Sequence, residues 1–266
     1  MFGLHPSRPE SVSWISGSTD LWMALLVLLG LWAWDRWNDR RGTVIASAAF
    51  GLALFAKEAA VPVPLLLVLD AWLLSEVPEE RRPRLRRAAI VCAVVGVLFV
   101  LRVAVAPLAI GGSVDEGLLQ SVLRVGASLG HYVRLLLWPW APSIVPACQQ
   151  FDDAGLPMYQ PWAWSLGLVA VAGVVAFALA AWRRPRLRPW LADLAWFVVL
   201  LVPVLNLVAI RTSTLVAARF LYLPLLGASA LLARAGVVVA LVLCFLNLLV
   251  FLPGLRGGVT ASLPAW

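Results

Sequence analysis

The sequence alternates long apolar segments with short connections that are rich in arginine. The three clearest connections are residues 35–41, 81–87 and 183–188. Charged side chains are costly inside a bilayer, and positively charged connections tend to stay on the cytoplasmic side. The pattern therefore predicts a protein that crosses a membrane several times, with these three connections on the cytoplasmic side.

Composition excludes an ordinary soluble domain. Hydrophobic residues make up 62% of the 266 residues and charged residues only 13%, with a mean hydropathy of +0.91. This is more apolar surface than a soluble core can bury. The net charge of +7 arises largely from arginines in the connections, so we take it as a topology signal. The predicted surroundings are a lipid bilayer, and no nucleic-acid partner is predicted.

We expect an all-α fold: a polytopic helical bundle forming a single membrane domain over residues 1–266, with about eight spans and one outer interfacial amphipathic helix. Each predicted span is an apolar run bounded by charged or turn-forming residues. The predicted spans are Leu21–Trp34, Thr43–Ala56, Ala59–Leu74, Ala88–Ala106, Trp164–Trp182, Pro189–Ile210, Phe220–Ala233 and Val237–Leu252.

A long polar section, residues 107–162, must stay outside if residues 81–87 and 183–188 are both inside. Within it, Leu118–Trp138 has the pattern of an amphipathic helix with a single polar stripe. The stripe consists of Gln120, Arg124, Ser128, His131 and Arg134. We predict that this helix lies flat in the outer interface. The alternative is a ninth span whose stripe faces the bundle.

The same topology gathers most other polar residues on the outer face. Residues 5–20, 57–58, 107–162 and 211–219 all fall there. Transporters and channels usually hold ionisable groups near the middle of the membrane, and the predicted spans carry almost none at that depth. The distribution favours a lipid-linked substrate whose headgroup lies at the outer surface.

Several of these residues could have either a structural or a functional role. Asp20 could position a substrate hydroxyl or cap the first span, because carboxylates are stabilised at helix N-termini. Lys57 and Glu58 could bind substrate, or neutralise each other at the end of a span. No metal is predicted, since His5 has no second ligand at metal-binding spacing, and no other cofactor is predicted either.

Four groups of residues, in order along the chain, resemble a known family. They are His5-Pro6 with Glu10-Ser-Val-Ser-Trp14, Ile15-Ser-Gly17 and Asp20-Leu21; Phe55-Ala-Lys-Glu58 with Pro64-Leu-Leu; Leu136-Leu-Trp-Pro139; and Ala218-Arg-Phe-Leu-Tyr-Leu-Pro224. This order is similar to that of C-type glycosyltransferases of the O-mannosyltransferase-like family, which join a membrane core to tetratricopeptide repeats. Ser18 and Ala218 stand where that family usually has Arg and often has Glu.

The resemblance implies transfer of a sugar from a polyprenyl-phosphate carrier to an acceptor hydroxyl, on a protein or a glycan, at the outer membrane face. It also implies a catalytic base in an outer loop of the core that would precede His5, together with about three further spans ahead of this sequence. The repeats of that family are not recognised within residues 1–266. The expected location is the bacterial inner membrane, with the site facing the periplasm.

Such a reaction needs a carboxylate base and cations that bind phosphate oxygens. Within this sequence the candidate bases are Glu10 and Asp20. The candidates for binding substrate or phosphate are His5, Lys57, Glu58, Arg124, His131, Arg134, Arg219 and Tyr222. Arg124 and Arg134 could instead contact lipid headgroups, and Tyr222 could belong to the interfacial aromatic belt.

Two other function classes stay open. A non-catalytic membrane scaffold or accessory subunit needs no base. A lipid or solute transporter would use the interruption of the sixth span by Pro203 and Asn206 to line a path.

Overall fold

The computed structural model of the protein describes residues 17–75, 77–105, 117–137, 147–148, 150–151, 157–205, 207 and 214–236. Over these residues the fold is predominantly α-helical, which confirms the predicted all-α class. The helices are α1 (Ser18–Arg36), α2 (Arg40–Ala56), α3 (Val63–Leu74), α4 (Pro78–Val105), α5 (Leu118–Leu137), α6 (Pro161–Arg183), α7 (Arg188–Leu201) and α8 (Leu225–Ala235).

Short non-α elements connect these helices. The 3₁₀ turns are Glu58–Ala60, Pro185–Leu187, Val202–Val204 and Ala218–Leu221. Four short strands, which the sequence did not predict, form two antiparallel pairs. The strands are β1 (Ala147–Cys148), β2 (Gln150–Phe151), β3 (Pro157–Met158) and β4 (Thr214–Val216); β1 pairs with β4, and β2 with β3. The first pair ties the section between α5 and α6 to the segment before α8.

Three helical segments of the described chain are long and apolar enough to cross a membrane. They are Glu79–Val105, Pro161–Arg183 and Pro185–Val204, which overlap the predicted fourth, fifth and sixth spans. A membrane protein is therefore supported, whereas the predicted total of eight spans is not confirmed. The predicted eighth span, Val237–Leu252, lies outside the described residues.

Caps and prolines move several boundaries away from their predicted positions. Helix α2 begins at Arg40 rather than Thr43, because the Asp39 carboxylate accepts hydrogen bonds from the amides of Arg41 at 2.9 Å and Gly42 at 3.2 Å. Such a cap satisfies amides that lack a partner within the helix. Helix α4 begins at Pro78, so the arginine run 81–87 forms its first turns rather than a separate connection.

The sixth and seventh predicted spans are shorter helices than expected. Helix α7 ends at Leu201, and the following turn contains Pro203. The predicted span Phe220–Ala233 is wrong as one continuous helix: a 3₁₀ turn ends at Leu221 and α8 starts only after Pro224. Proline is favoured in the first turn of a helix, whereas further inside it removes a backbone hydrogen bond and tends to end or kink the helix.

Two hydrophobic cores meet along α7. The first is formed mainly by α1 to α4, around Phe50 and Leu54, and includes Leu200 of α7. The second joins α5, α6 and α8 around Tyr132 and also includes Leu201 of α7. Neighbouring residues of α7 thus contribute to opposite cores, which places this helix between the two halves of the bundle.

The arginine-rich connections lie together at one end of the bundle, which we call the arginine end. Arg87 donates to the backbone oxygen of Trp37 at 2.8 Å and to Thr43 Oγ1 at 3.0 Å, so 81–87 lies beside 35–41. The rings of Trp72 and Trp182 lie 5.4 Å apart, which brings 183–188 to the same end. The opposite end, where α2 ends at Ala56, is called the Lys57 end.

A small-residue crossing holds α5 against α6. Gly126 and Gly130 of α5 face Ala163, Trp164 and Gly167 of α6 so closely that a methyl group at Gly130 or Gly167 would overlap a backbone oxygen of the partner helix. Both helices have small residues four positions apart, an arrangement that lets membrane helices approach closely.

We expect Gly167→Ala to lower the free energy of unfolding by about 1–3 kcal/mol, because the added methyl group overpacks this crossing. Gly173→Ala is the matched control on the same helix, where the added methyl meets nothing within 4 Å. The control should be neutral or slightly stabilising, since alanine favours helix over glycine. Thermal unfolding of the purified protein in detergent compares the two; equal effects would contradict the crossing.

We also expect the two ends to lie on opposite sides of the membrane. In a background lacking Cys92, Cys148 and Cys244, Arg186→Cys should react with a membrane-impermeant maleimide only from the cytoplasmic side, following the positive-inside rule. Gln160→Cys, just before α6, should react only from the other side. Labelling of both cysteines from one side would rule out this topology.

Candidate functional site

A buried carboxylate at the Lys57 end forms an ion pair with Lys57. Asp20 lies in the first turn of α1, where its side chain is 3% exposed, and its Oδ1 accepts a short hydrogen bond from Lys57 Nζ. Its Oδ2 is also buried and has no hydrogen-bond partner among the described residues. Asp20 lies in the first turn, where a carboxylate is stabilised by the helix N-terminus, but it does not cap the helix by a hydrogen bond, because Gly17 occupies the N-cap position and no side chain caps this helix. Asp20 instead joins the start of α1 to the end of α2.

The alternative in which Lys57 and Glu58 neutralise each other is contradicted by the structure. Lys57 ends α2 in an extended conformation (φ −160°, ψ 136°), and successive side chains on extended backbone point in opposite directions. Lys57 therefore reaches Asp20, whereas Glu58 Oε1 binds Arg102 Nη2 at 2.6 Å. Two separate ion pairs join the turn after α2 to α1 and to the last turn of α4.

An aromatic ring links this ion pair to a second cation. The Phe220 ring centroid lies 5.1 Å from Lys57 Nζ and 5.3 Å from the Arg219 guanidinium carbon. Both distances are within the range of a cation–π contact. The turn Ala218–Leu221 thus brings Arg219 close to Asp20 and Lys57, although these residues are far apart in sequence.

The middle of the polar stripe of α5 faces the protein rather than the surroundings. Arg124 and Ser128 are buried, whereas Leu118, Leu119 and Leu137 of the same helix are exposed. Arg124 donates to the backbone oxygen of Leu207 at 3.4 Å, so this predicted phosphate ligand is held inside the fold. Whether α5 lies in the interface or crosses the membrane stays a prediction.

His131 and Arg134 both contact the ring of Trp162, which lies near the start of α6. The His131 ring meets Trp162 edge-on at 4.8 Å, and the Arg134 guanidinium lies 5.4 Å from the same ring. Burial lowers the pKa of His131, and the nearby charge of Arg134 lowers it further, because both disfavour the imidazolium. The resulting group combines an exposed guanidinium, an imidazole whose neutral form is favoured, and an aromatic surface.

The residues around Lys57 and the candidate residues on α5 both lie near the Val202–Val204 turn that follows α7. The Glu58–Ala60 turn packs against the Val202–Val204 turn, and Tyr132 Oη of α5 donates to the backbone oxygen of Val204 at 3.3 Å. The structure therefore brings the candidates on α5 and the candidates around Lys57 to the same end of the bundle. The Ala218–Leu221 turn, which carries Arg219, also packs against α5.

Two of the remaining candidates, His5 and Glu10, lie outside the described residues. Tyr222 directly follows the Ala218–Leu221 turn and is half-buried, next to Arg219 in the chain. It therefore belongs to the same part of the Lys57 end.

Sequence reasoning missed Arg102, Phe220 and Trp162. Arg102 is a lone charge within the apolar run Ala88–Ala106, and an ionisable residue inside a predicted span is a recognised functional signal. Nothing in the sequence marks Phe220 or Trp162 apart from other aromatic residues, because their roles depend on contacts with distant parts of the chain.

Within the described part of the chain, no group of three or more histidine, cysteine and acidic side chains could hold a metal ion. No protein-family model, curated protein or solved structure matches the chain.

We expect Lys57→Met to cost about 3–5 kcal/mol of unfolding free energy, because it leaves the buried Asp20 carboxylate without its cation. Glu58→Gln is the matched control in the neighbouring ion pair, where the Glu58 side chain is 44% exposed; exposed pairs contribute about 1 kcal/mol or less. Chemical unfolding in detergent measures both.

The double variant Asp20→Asn/Lys57→Met should recover most of the stability lost in Lys57→Met. If it is no more stable than the single variant, the loss does not come from an unpaired carboxylate.

Proposed function

We propose that the protein is the core of a membrane glycosyltransferase that binds a polyprenyl-phosphate-linked sugar at the Lys57 end. The observation that carries this proposal is the arrangement around Asp20: a buried carboxylate with one oxygen on Lys57, an unpartnered second oxygen, and Arg219 across the Phe220 ring. A carboxylate base and phosphate-binding cations are the groups that sugar transfer from a lipid phosphate requires.

The chemistry would be an inverting displacement. The acceptor oxygen attacks the anomeric carbon and forms the new glycosidic bond, while the bond from that carbon to the phosphate oxygen breaks. The electron pair leaves with the lipid phosphate, and the hydroxyl proton passes to a carboxylate. Asp20 is the candidate base among the described residues, and Glu10 is the other candidate.

The cations that we propose for the departing phosphate are Arg219, which is half-buried, and Arg134, which is exposed. Guanidinium groups bind phosphate oxygens through two parallel donors. Arg124 is less suited to this role than the sequence predicted, since its guanidinium is buried and donates to the oxygen of Leu207. Lys57 is held on Asp20 and would act by keeping that carboxylate in place.

A scaffold or accessory role is the second candidate. It is favoured by the fact that Asp20–Lys57 and Glu58–Arg102 both join helices of the same chain, as purely structural ion pairs do. In that case the periplasmic side of a bacterial inner membrane would still be the expected location of the Lys57 end, but no carrier lipid would bind there.

Binding of the carrier is tested with undecaprenyl phosphate and with undecaprenol, which has the same chain but no phosphate, using native mass spectrometry of the purified full chain. We expect a preference of at least tenfold for the phosphate. Arg219→Gln and Arg134→Gln should each weaken binding about tenfold, because each removes a charged hydrogen bond worth about 1.5–3 kcal/mol. Arg184→Gln at the arginine end should change nothing.

Equal binding of the two lipids would overturn the proposed carrier site. If undecaprenyl phosphate binds, the variant Asp20→Asn distinguishes an enzyme from a scaffold. It should abolish release of undecaprenyl phosphate from its sugar-linked form. Its affinity for the carrier should stay within about threefold of that of the unmodified chain. Unchanged release would remove Asp20 as the base.

A further inference from the structure

A groove at the arginine end is bounded by the start of α2 and the first turns of α4. Its volume is 730 Å³, and its lining includes Arg40, Arg82, Arg86, Arg87, Val44 and Ile90. None of these residues belongs to the Lys57 end, so the groove is separate from the proposed glycosyltransferase site.

The groove carries an excess of positive charge. Four guanidinium groups face one carboxylate, Asp39, and that carboxylate already accepts hydrogen bonds from the backbone amides of Arg41 and Gly42. Arg40, Arg82 and Arg86 are exposed, and among the described residues none of the three has an ion-pair partner. An anion entering the groove would therefore meet cations that are not already neutralised.

One of the four arginines is fixed in position. Arg87 donates to the Trp37 backbone oxygen and to Thr43 Oγ1, and its guanidinium lies 4.2 Å from the Trp34 ring. These contacts give the groove one rigid wall against which a ligand can be held. The exposed arginines complete its rim.

Apolar side chains lie next to the cations along both helices. Val44 follows Arg40 by four residues on α2, and Ile90 follows Arg86 by four residues on α4; residues four apart share one face of a helix. Val44 is 66% exposed and Ile90 45%. On each helix the arginine lies nearer the end of the bundle, and the exposed apolar residue lies one turn closer to its middle.

This order matches a phospholipid, which has an anionic headgroup at the membrane surface and acyl chains directed inward. We propose that the groove binds an anionic phospholipid, with its phosphate on Arg82 and Arg86 and its acyl chain along Val44 and Ile90. Basic pockets between membrane helices bind acidic headgroups in this way. A soluble anion would make no use of the two apolar residues, and a zwitterionic lipid would gain less from the excess charge.

The test uses the purified full chain in phosphatidylcholine nanodiscs, with phosphatidylglycerol added as the probe and native mass spectrometry as the readout. We expect phosphatidylglycerol to bind at least tenfold more tightly than phosphatidylcholine. The double variant Arg82→Gln/Arg86→Gln should weaken this binding about tenfold to thirtyfold, as expected for removing two surface cations. Both side chains are exposed, so thermal unfolding should be unchanged.

The matched control is Arg183→Gln/Arg184→Gln, which removes two exposed arginines at the same end but outside the groove. It should weaken binding less than about threefold. An equal loss in both double variants would overturn the groove as a site and leave only general surface attraction.

Two further measurements separate a lipid from a free anion. Inorganic phosphate at millimolar concentration should not displace phosphatidylglycerol, and Ile90→Ser should weaken the lipid several-fold. Displacement by phosphate together with an unchanged Ile90→Ser variant would show an anion site with no lipid specificity. Undecaprenyl phosphate binding at the Lys57 end should be unaffected by Arg82→Gln/Arg86→Gln, so failure of one proposal does not imply failure of the other.

Discussion

The apolar middle of this bundle cannot hydrate charge. Ion pairs and charged hydrogen bonds hold the helices together near their ends. Asp20 and Lys57 join α1 to the end of α2, and Arg102 with Glu58 brings in α4. At the other end Arg87 binds the connection between α1 and α2. An unpaired charge is costly in a low-dielectric interior, so these pairings restrict how the helices can be arranged.

The two ends use charge differently. At the Lys57 end, Asp20 and Glu58 are matched by Lys57 and Arg102, and the additional cations stand beside aromatic rings. At the arginine end, arginines outnumber carboxylates and border exposed apolar residues. In the two proposals, the Lys57 end binds a single phosphate on a long carrier, where few groups must act at defined positions. The arginine end binds lipids that are abundant and are held mainly by charge.

Apolar periodicity predicted the all-α class and the helix Leu118–Trp138, which the structure describes over Leu118–Leu137. The positive-inside rule predicted that the arginine connections lie on one side. Periodicity failed where local backbone chemistry decides, at the Asp39 cap and at Pro224, whereas the interruption of the sixth span at Pro203 was predicted. From the sequence, the adjacent residues Lys57 and Glu58 could form one ion pair. Sequence alone does not show that the backbone at Lys57 is extended, so that the two side chains point to opposite sides. Their partners are distant in the chain, and pairwise contacts of that kind leave no local pattern.

The distinction between an enzyme core and a scaffold depends on the second oxygen of Asp20. A buried ion pair contributes little net stability over apolar residues of the same size, although breaking it by removing one partner is costly. A purely structural joint between α1 and α2 would therefore gain nothing from leaving Oδ2 buried and unpartnered among the described residues. A carboxylate that accepts a proton needs such an oxygen, with Lys57 on the other one to hold the group in position. This asymmetry between the two oxygens is the observation on which the proposed role of Asp20 as a base rests.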